Sequence, residues 1–280
     1  MKKYHCFSFE TKNEEESEIL IAKLDMLNPI GFSEENQILS VYFDEHNVNK
    51  SEIEAIASET NVTFSESEEK EQNWNADWES SFEPISVYDT EDNSLFAFVR
   101  ASFHEKNSLA KYDLEITPKM SFGTGHHATT YLMMETMRSI DFNGKHLIDF
   151  GTGTGVLAIL AEKMGAQKII AIDNDDWSLE NTSENLKNNH CNKSVLEKAD
   201  ALVTESTEEV DVILANINFN VIVENLENIK KHTKKSGIVL FSGILENDVP
   251  QLTEILKNHG IYTDQVKIKN GWAMLKTTAY

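Results

Sequence analysis

Cysteine is scarce in this sequence of 280 residues: there are two, Cys6 and Cys191, far apart and outside any motif. That excludes a disulfide framework and a Cys-rich metal site, and a reduced, cytoplasmic setting is expected. Each is read as a small buried apolar residue. Long apolar runs are missing as well. No stretch reaches the roughly 18 apolar residues of a membrane-crossing helix, so no membrane association is expected. The start, "MKKYHCFSFETKNEEE", is basic for two residues and then acidic, which does not fit a secretory signal. Positive charge is also short. Lys and Arg number 25 against 47 Asp and Glu, a net charge of −22. A broad nucleic-acid surface needs clustered Lys and Arg, so direct nucleic-acid binding is not expected. A basic partner is permitted, because opposite fields steer encounter. No internal repeat or low-complexity tract is found.

What is present is enough for two domains of ordinary size, with 40% apolar residues to fill their cores. The first seventy residues read β-α-β-β-α-β, a ferredoxin-like plan. "HCFSFE" alternates like a strand, and residues 14–27 carry Ile19, Leu20, Ala22, Leu24 and Leu27 on one helical stripe. Leu39, Val41 and Phe43 share one strand face. Ser51 is a candidate N-cap for a helix bearing Ile53, Ile56 and Ala57, and "NVTFS" closes the unit. This stretch holds 6 Lys against 16 Asp or Glu, a net of −10, and no catalytic constellation. Expected boundaries are 1–65 for this domain, 66–80 for a partly helical linker and 81–280 for the second domain. In the linker, Trp74 and Trp78 would share a helical face and staple it to a domain.

After strand-like pieces at 82–88, 94–100 and 112–118, the chain alternates strand and helix from about residue 143. Strands are expected at 146–151, 168–173, 194–200, 211–216 and 236–243, with helices at 154–165, 176–190, 219–232 and 247–258. Residues 261–278 read as a β-hairpin turned at "NG". Such alternation implies a parallel sheet wound on both faces. The fold expected is α/β: a seven-stranded, doubly wound, Rossmann-like domain with a terminal antiparallel hairpin, preceded by a small ferredoxin-like α+β domain.

The chemistry gathers in "IDFGTGTGVLA", residues 148–158. Ligands of such sheets bind at the carboxyl ends of the strands, where the winding reverses. Gly151, Gly153 and Gly155 let backbone approach a ligand and turn tightly into a helix. The next strand ends in Asp173, whose carboxylate can accept hydrogen bonds from the two hydroxyls of a ribose. A nucleoside cofactor follows. Gly153, Gly155 and Ala158 fit the G-x-G-x-x-A pattern of NAD binding. Asp149 before three alternating glycines suits a cofactor with an amine and no pyrophosphate, such as S-adenosylmethionine; the plainer role for Asp149 is to brace the loop. A nicotinamide oxidoreductase and a non-catalytic cofactor-binding regulator stay open on these residues alone.

The sequence resembles the class I methyltransferases, and more narrowly the ribosomal protein L11 methyltransferase family. The matching runs are "WNADWESSFEPI", "FGTGHHATT", "LIDFGTGTGVLAILAEKMGAQKIIAIDNDDWSLENTSENLKNNH", "DVILANI" and "LFSGILE". The chain departs from the family's Thr-His-Pro-Thr-Thr with His126-His127-Ala128-Thr129-Thr130, and a common loop Cys is Thr152. The resemblance implies that Thr130, Gly151, Asp173 and Asn216 bind cofactor, and that Asp200 lies near the adenine. It implies S-adenosylmethionine as cofactor, the N-terminal unit as a substrate-recognition domain, and ribosomal protein L11 as the substrate. Lysine side-chain amines and the N-terminal amine would be the acceptors, with another protein or a small-molecule amine as the alternative. Asn216 could aim the acceptor lone pair; the plainer alternative is that it contacts only cofactor or closes a turn. His127 matches the family's histidine, with loop bracing as its plainer role. Adjacent residues such as His126 and His127 do not make a typical chelate, and no metal is expected. A monomer is expected.

Overall fold

A computed structural model describes residues 3–12, 14–24, 27, 29–35, 38–44, 50–60, 62–70, 82–117, 123–202 and 208–279. The chain divides into two compact units, Met1–Ala76 and Asp77–Tyr280.

The first unit runs β1 (Lys3–Glu10), α1 (Glu14–Leu24), β2 (Gly31–Glu35), β3 (Ile38–Asp44), α2 (Lys50–Thr60) and β4 (Phe64–Lys70). Its four strands are antiparallel in the order β2-β3-β1-β4, the strand order of the split βαβ plan. Phe7 and Phe9 alternate with Cys6 and Ser8 along β1. The phenylalanines join Leu39, Val41 and Phe43 under the two helices, against Leu20, Leu24 and Ile53. Three expectations change. Ile19 is exposed, because the buried stripe of α1 runs through Leu20 and Leu24. Ser51 lies inside α2, which begins at Lys50. The closing strand extends to Lys70, beyond the expected boundary at 65. Trp74, Trp78 and the rest of the expected linker lie outside the described residues.

The second unit opens with a three-stranded sheet, β5 (Ile85–Tyr88), β6 (Leu95–Arg100) and β7 (Tyr112–Glu115). Arg100, almost wholly buried, pairs with Asp113 and Glu115 at 2.9 Å each. Then follow α3 (Ala128–Met137), β8 (His146–Phe150), α4 (Val156–Lys163), β9 (Lys168–Asp173), α5 (Asp176–Asn188), β10 (Ser194–Lys198) and β11 (Val210–Asn216). The chain continues with α6 (Phe219–Glu224), α7 (Leu226–His232), β12 (Thr233–Leu245), α8 (Val249–Asn258), β13 (Ile261–Lys269) and β14 (Trp272–Ala279). The large sheet has the order β10-β9-β8-β11-β12-β14-β13. Its first five strands are parallel, and β14 runs antiparallel between β12 and β13. The expected hairpin is there, with Asn270 and Gly271 both at positive φ as its tight turn needs.

Parity along the strands explains the two layers. Leu147, Ile169, Ala171, Val212 and Leu214 enter one core with α3 and α4. Their neighbours Ile148, Phe150, Ile170, Ile172, Ile213 and Ala215 enter the other, with α6, α7 and α8. Strands buried on both faces read as continuous apolar runs, and these do. The winding reverses at β8, so the carboxyl ends of β8 and β11 frame the crevice. The helix expected over 219–232 is two helices broken at Asn225. That side chain accepts from Leu202 N–H at 2.9 Å and donates to Val221 O at 2.9 Å.

Candidate active site

A cleft of about 390 Å³ opens at these strand ends, lined by Gly151, Gly153, Asp173, Asp175, Asp200 and Asn216 among others. That volume suits a small-molecule ligand. β8 ends at Phe150 and passes into the loop 151–155, where all three glycines have positive φ, 77°, 57° and 78°. A Cβ on Gly151 would collide with the Ile217 side chain, so backbone and cleft wall can approach only with glycine there.

The loop is held by its own amides. Gly151 and Thr152 N–H both donate to Ile172 O at 2.9 Å, Gly155 N–H donates to Thr152 O at 2.9 Å, and Gly153 N–H donates to Asp173 Oδ2 at 2.9 Å. A pyrophosphate cradle needs amides turned toward the ligand. Four amides of this loop are already engaged within the protein. Asp173, half-buried at the end of β9, also accepts Asp175 N–H at 3.1 Å through Oδ1. The carboxylate keeps lone pairs for a ligand in the cleft it lines.

Asp149 sits behind the loop and is not in the cleft lining. It is fully buried, and Oδ2 accepts the Thr152 hydroxyl at 2.8 Å. Burial pushes its carboxyl up to about 7, against the lowering effects of Thr152 and the Ala158 N–H; the charge of Asp173 adds to the rise. Gly155 starts α4 as its N-cap residue, and a Cβ there would lie 2.8 Å from Thr182 Cγ2. Asp200 is exposed on the cleft rim.

Asn216 ends β11 with 9% of its surface exposed. Its Nδ2 donates to Thr130 Oγ1 at 3.2 Å, and its Oδ1 is buried without a partner among the described residues. A buried carbonyl left without a donor is costly, and the cost is removed by a ligand that brings an N–H or O–H. Thr130, fully buried in α3, is thus the anchor of Asn216, outside the cleft lining.

The segment 123–127 clamps the glycine loop: Thr154 Oγ1 donates to Gly123 O at 2.7 Å. His126 stacks edge-on against Phe82, with centroids 4.7 Å apart, and burial lowers its pKa. His127 is the N-cap of α3, with Nδ1 2.8 Å from Thr129 Oγ1. Among the described residues no group of His, Cys, Asp or Glu could hold a metal. No helix among them is long and apolar enough to cross a membrane.

Two contributors escape sequence reasoning. Asn185, buried in α5, donates to Thr154 O at 2.8 Å and accepts Thr117 N–H at 2.8 Å. Thr182 donates to Gly153 O at 2.7 Å. Both fix the loop from the α5 side. They lie in "SLENTSENLKN", which reads as a solvated helix face and gives no signal for a buried role.

A family model described as Ribosomal protein L11 methyltransferase (PrmA) matches residues 2–279. The ribosomal protein L11 methyltransferase of Porphyromonas gingivalis is 34% identical, covering 99% of this chain and 98% of its own. That of Chlorobaculum parvum is 37% identical, covering 86% of this chain and 84% of its own. Among solved structures, a ribosomal protein L11 methylase from Lactobacillus delbrueckii subsp. bulgaricus shares the fold, with a TM-score of 0.63 at 24% identity. The match covers 71% of this chain and 100% of that one.

Proposed function

The chain belongs to the ribosomal protein L11 methyltransferase family, and from that premise we propose that it methylates lysine side-chain amines and the N-terminal amine of ribosomal protein L11, with Asn216 aiming the acceptor nitrogen. It is an S-adenosylmethionine-dependent methyltransferase. Membership decides between the two nucleoside cofactors that the glycine loop leaves open, against the nicotinamide reading. The engaged amides of the loop agree with that choice.

Gly151, Gly153, Asp173 and Asp200 would hold the cofactor, with Asp149 and Gly155 bracing them from behind and Thr130 anchoring Asn216. When bound, S-adenosylmethionine supplies a methyl group on a sulfonium whose departure leaves a neutral thioether, so little acid catalysis is demanded. The demands on the protein are alignment and a nucleophile with a free lone pair. A lysine ammonium, of reference pKa about 10.4, must first lose a proton. Asn216 then serves the neutral amine. Its Oδ1 accepts one N–H, and the nitrogen lone pair is left to point along the transfer direction. Thr130 keeps the amide from rotating away.

One observation carries the reading: Asn216 is tied by its nitrogen while its buried oxygen has no partner. The acidic first unit, net −10 over seventy residues, suits recognition of a basic protein. The test is transfer of labelled methyl from S-adenosylmethionine to purified L11. The wild-type chain is expected to label L11, and Asn216→Ala to lower kcat by about tenfold or more, the size of one lost hydrogen bond to a reacting group. Labelling of other proteins with L11 left bare would remove the substrate assignment. Full kcat in Asn216→Ala would remove the aiming role.

A further inference from the structure

The start of α3 is built in an unusual way. Eight of its ten residues are buried, so its first-turn N–H groups are remote from water and need partners. Ser, Thr, Asn and Asp are the usual caps. Here the cap is an imidazole. His127 is extended, with φ −69° and ψ 138°, and its Nδ1 receives Thr129 N–H at 3.4 Å and the Thr129 hydroxyl at 2.8 Å. A backbone N–H can only donate, so Nδ1 carries no proton and the ring proton sits on Nε2. With its Nδ1 lone pair engaged by two donors, that nitrogen is unavailable as a base. The ring is held in turn by Trp272, the first residue of β14, edge-on with centroids 4.7 Å apart. The next residue along α3 after the capped Thr129 is Thr130, whose hydroxyl receives the Asn216 amide at 3.2 Å.

We infer that His127 is a positioning residue for methyl transfer: by capping α3 it fixes the Thr130 hydroxyl, and through it the direction of Asn216 Oδ1. Trp272 sets the ring that does the capping. This rests on the aiming role of Asn216. A cap lost from α3 frees the first turn. Thr130 then no longer selects one orientation of the Asn216 amide, and the acceptor nitrogen is presented in many directions, few of them in line. The residues proposed to hold the cofactor, Gly151, Gly153, Asp173 and Asp200, stand on other elements, so the loss is expected in transfer rather than in cofactor binding.

The experiment combines His127→Ala, His127→Asn and Asn216→Ala in the full chain. Amide hydrogen exchange of the α3 first turn is read without ligand, and kcat and KM are read with S-adenosylmethionine and L11. His127→Ala should speed exchange and lower kcat about fivefold to tenfold, the scale of a lost cap, with KM for the cofactor unchanged. His127→Asn, an effective cap of different chemistry, should restore both the protection and most of kcat. In the Asn216→Ala background, His127→Ala should cost nothing further, because the two act in series. Faster exchange with kcat unchanged would overturn the inference, as would restored protection in His127→Asn without restored kcat. Equal and additive losses in the double variant would overturn it too. If Asn216→Ala alone kept full kcat, the aiming role and this inference would fall together, and that result is separable from every other outcome.

Discussion

At the scale of single residues, the site works through what each polar atom leaves open. Asp173 has both carboxylate oxygens on backbone N–H groups yet faces the cleft. On its proposed role at the ribose, replacing it with alanine would remove two charge-assisted bonds, each worth roughly 1.5–3 kcal/mol. Titration calorimetry should therefore show S-adenosylmethionine affinity falling at least about tenfold in a folded Asp173→Ala chain; unchanged affinity would make the acid structural. Asp149 gives a pH prediction. Its carboxyl is raised from 3.8 to about 7, so the native state favours the protonated acid. The stability it contributes is present below about pH 4 and is lost as pH rises through about 7. A rise of about three units corresponds to about 4 kcal/mol. Urea unfolding of the wild type and of Asp149→Asn should thus diverge between about pH 4 and 7, with the wild type losing stability relative to the variant. A difference that does not move with pH would mean the carboxylate stays ionised throughout. Asp173 drew attention because it ends an apolar strand run, where a polar residue has no packing reason to be, and Asn216 through the family resemblance; the structure puts both in the cleft lining. For Asp149 the sequence left two places open, at the cofactor amine or behind the loop, and the structure puts it behind the loop. That position depends on strand parity, which sends Ile148 and Phe150 to one core and the residue between them to the other side.

At the scale of elements, the strands and their sequence along the chain were legible, because the central parallel strands are largely apolar runs; the weak strand β10 (SVLEK) is the exception. What was not legible lies where side-chain hydrogen bonds override periodicity. The break between α6 and α7 is imposed by Asn225, whose amide bonds a loop distant in sequence. Ser51 looked like a cap from spacing alone, and helix ends set by neighbouring backbone move by a residue or two. Asn185 is the clearest case: a helix-interior amide that ties α5 to the glycine loop and to Thr117. Asn185→Ala would leave Thr154 O and Thr117 N–H without that partner, at about 1–3 kcal/mol for each group left unsatisfied. Thermal unfolding of Asn185→Ala should show a loss of about 2–6 kcal/mol and slacker S-adenosylmethionine binding. Wild-type stability would show that the loop is held by Thr182 and the backbone alone.

At the scale of the whole molecule, cofactor binding is proposed for the second unit and substrate recognition for the acidic first one. If that unit only recognises substrate, a fragment from about residue 71 onward should bind S-adenosylmethionine as the full chain does and lose most activity on L11. Full activity of the fragment would leave the unit without that role. The central claim, that this chain puts methyl groups on ribosomal protein L11, is met most directly in cells. Intact-mass and peptide mass spectrometry of ribosomal proteins, with and without the gene for this chain, should show L11 lighter by whole multiples of one methyl group in its absence. The deficit should map to lysine side chains and the N-terminal amine, with no other ribosomal protein changed. An L11 mass that stays the same while another protein loses methyl groups would contradict the account.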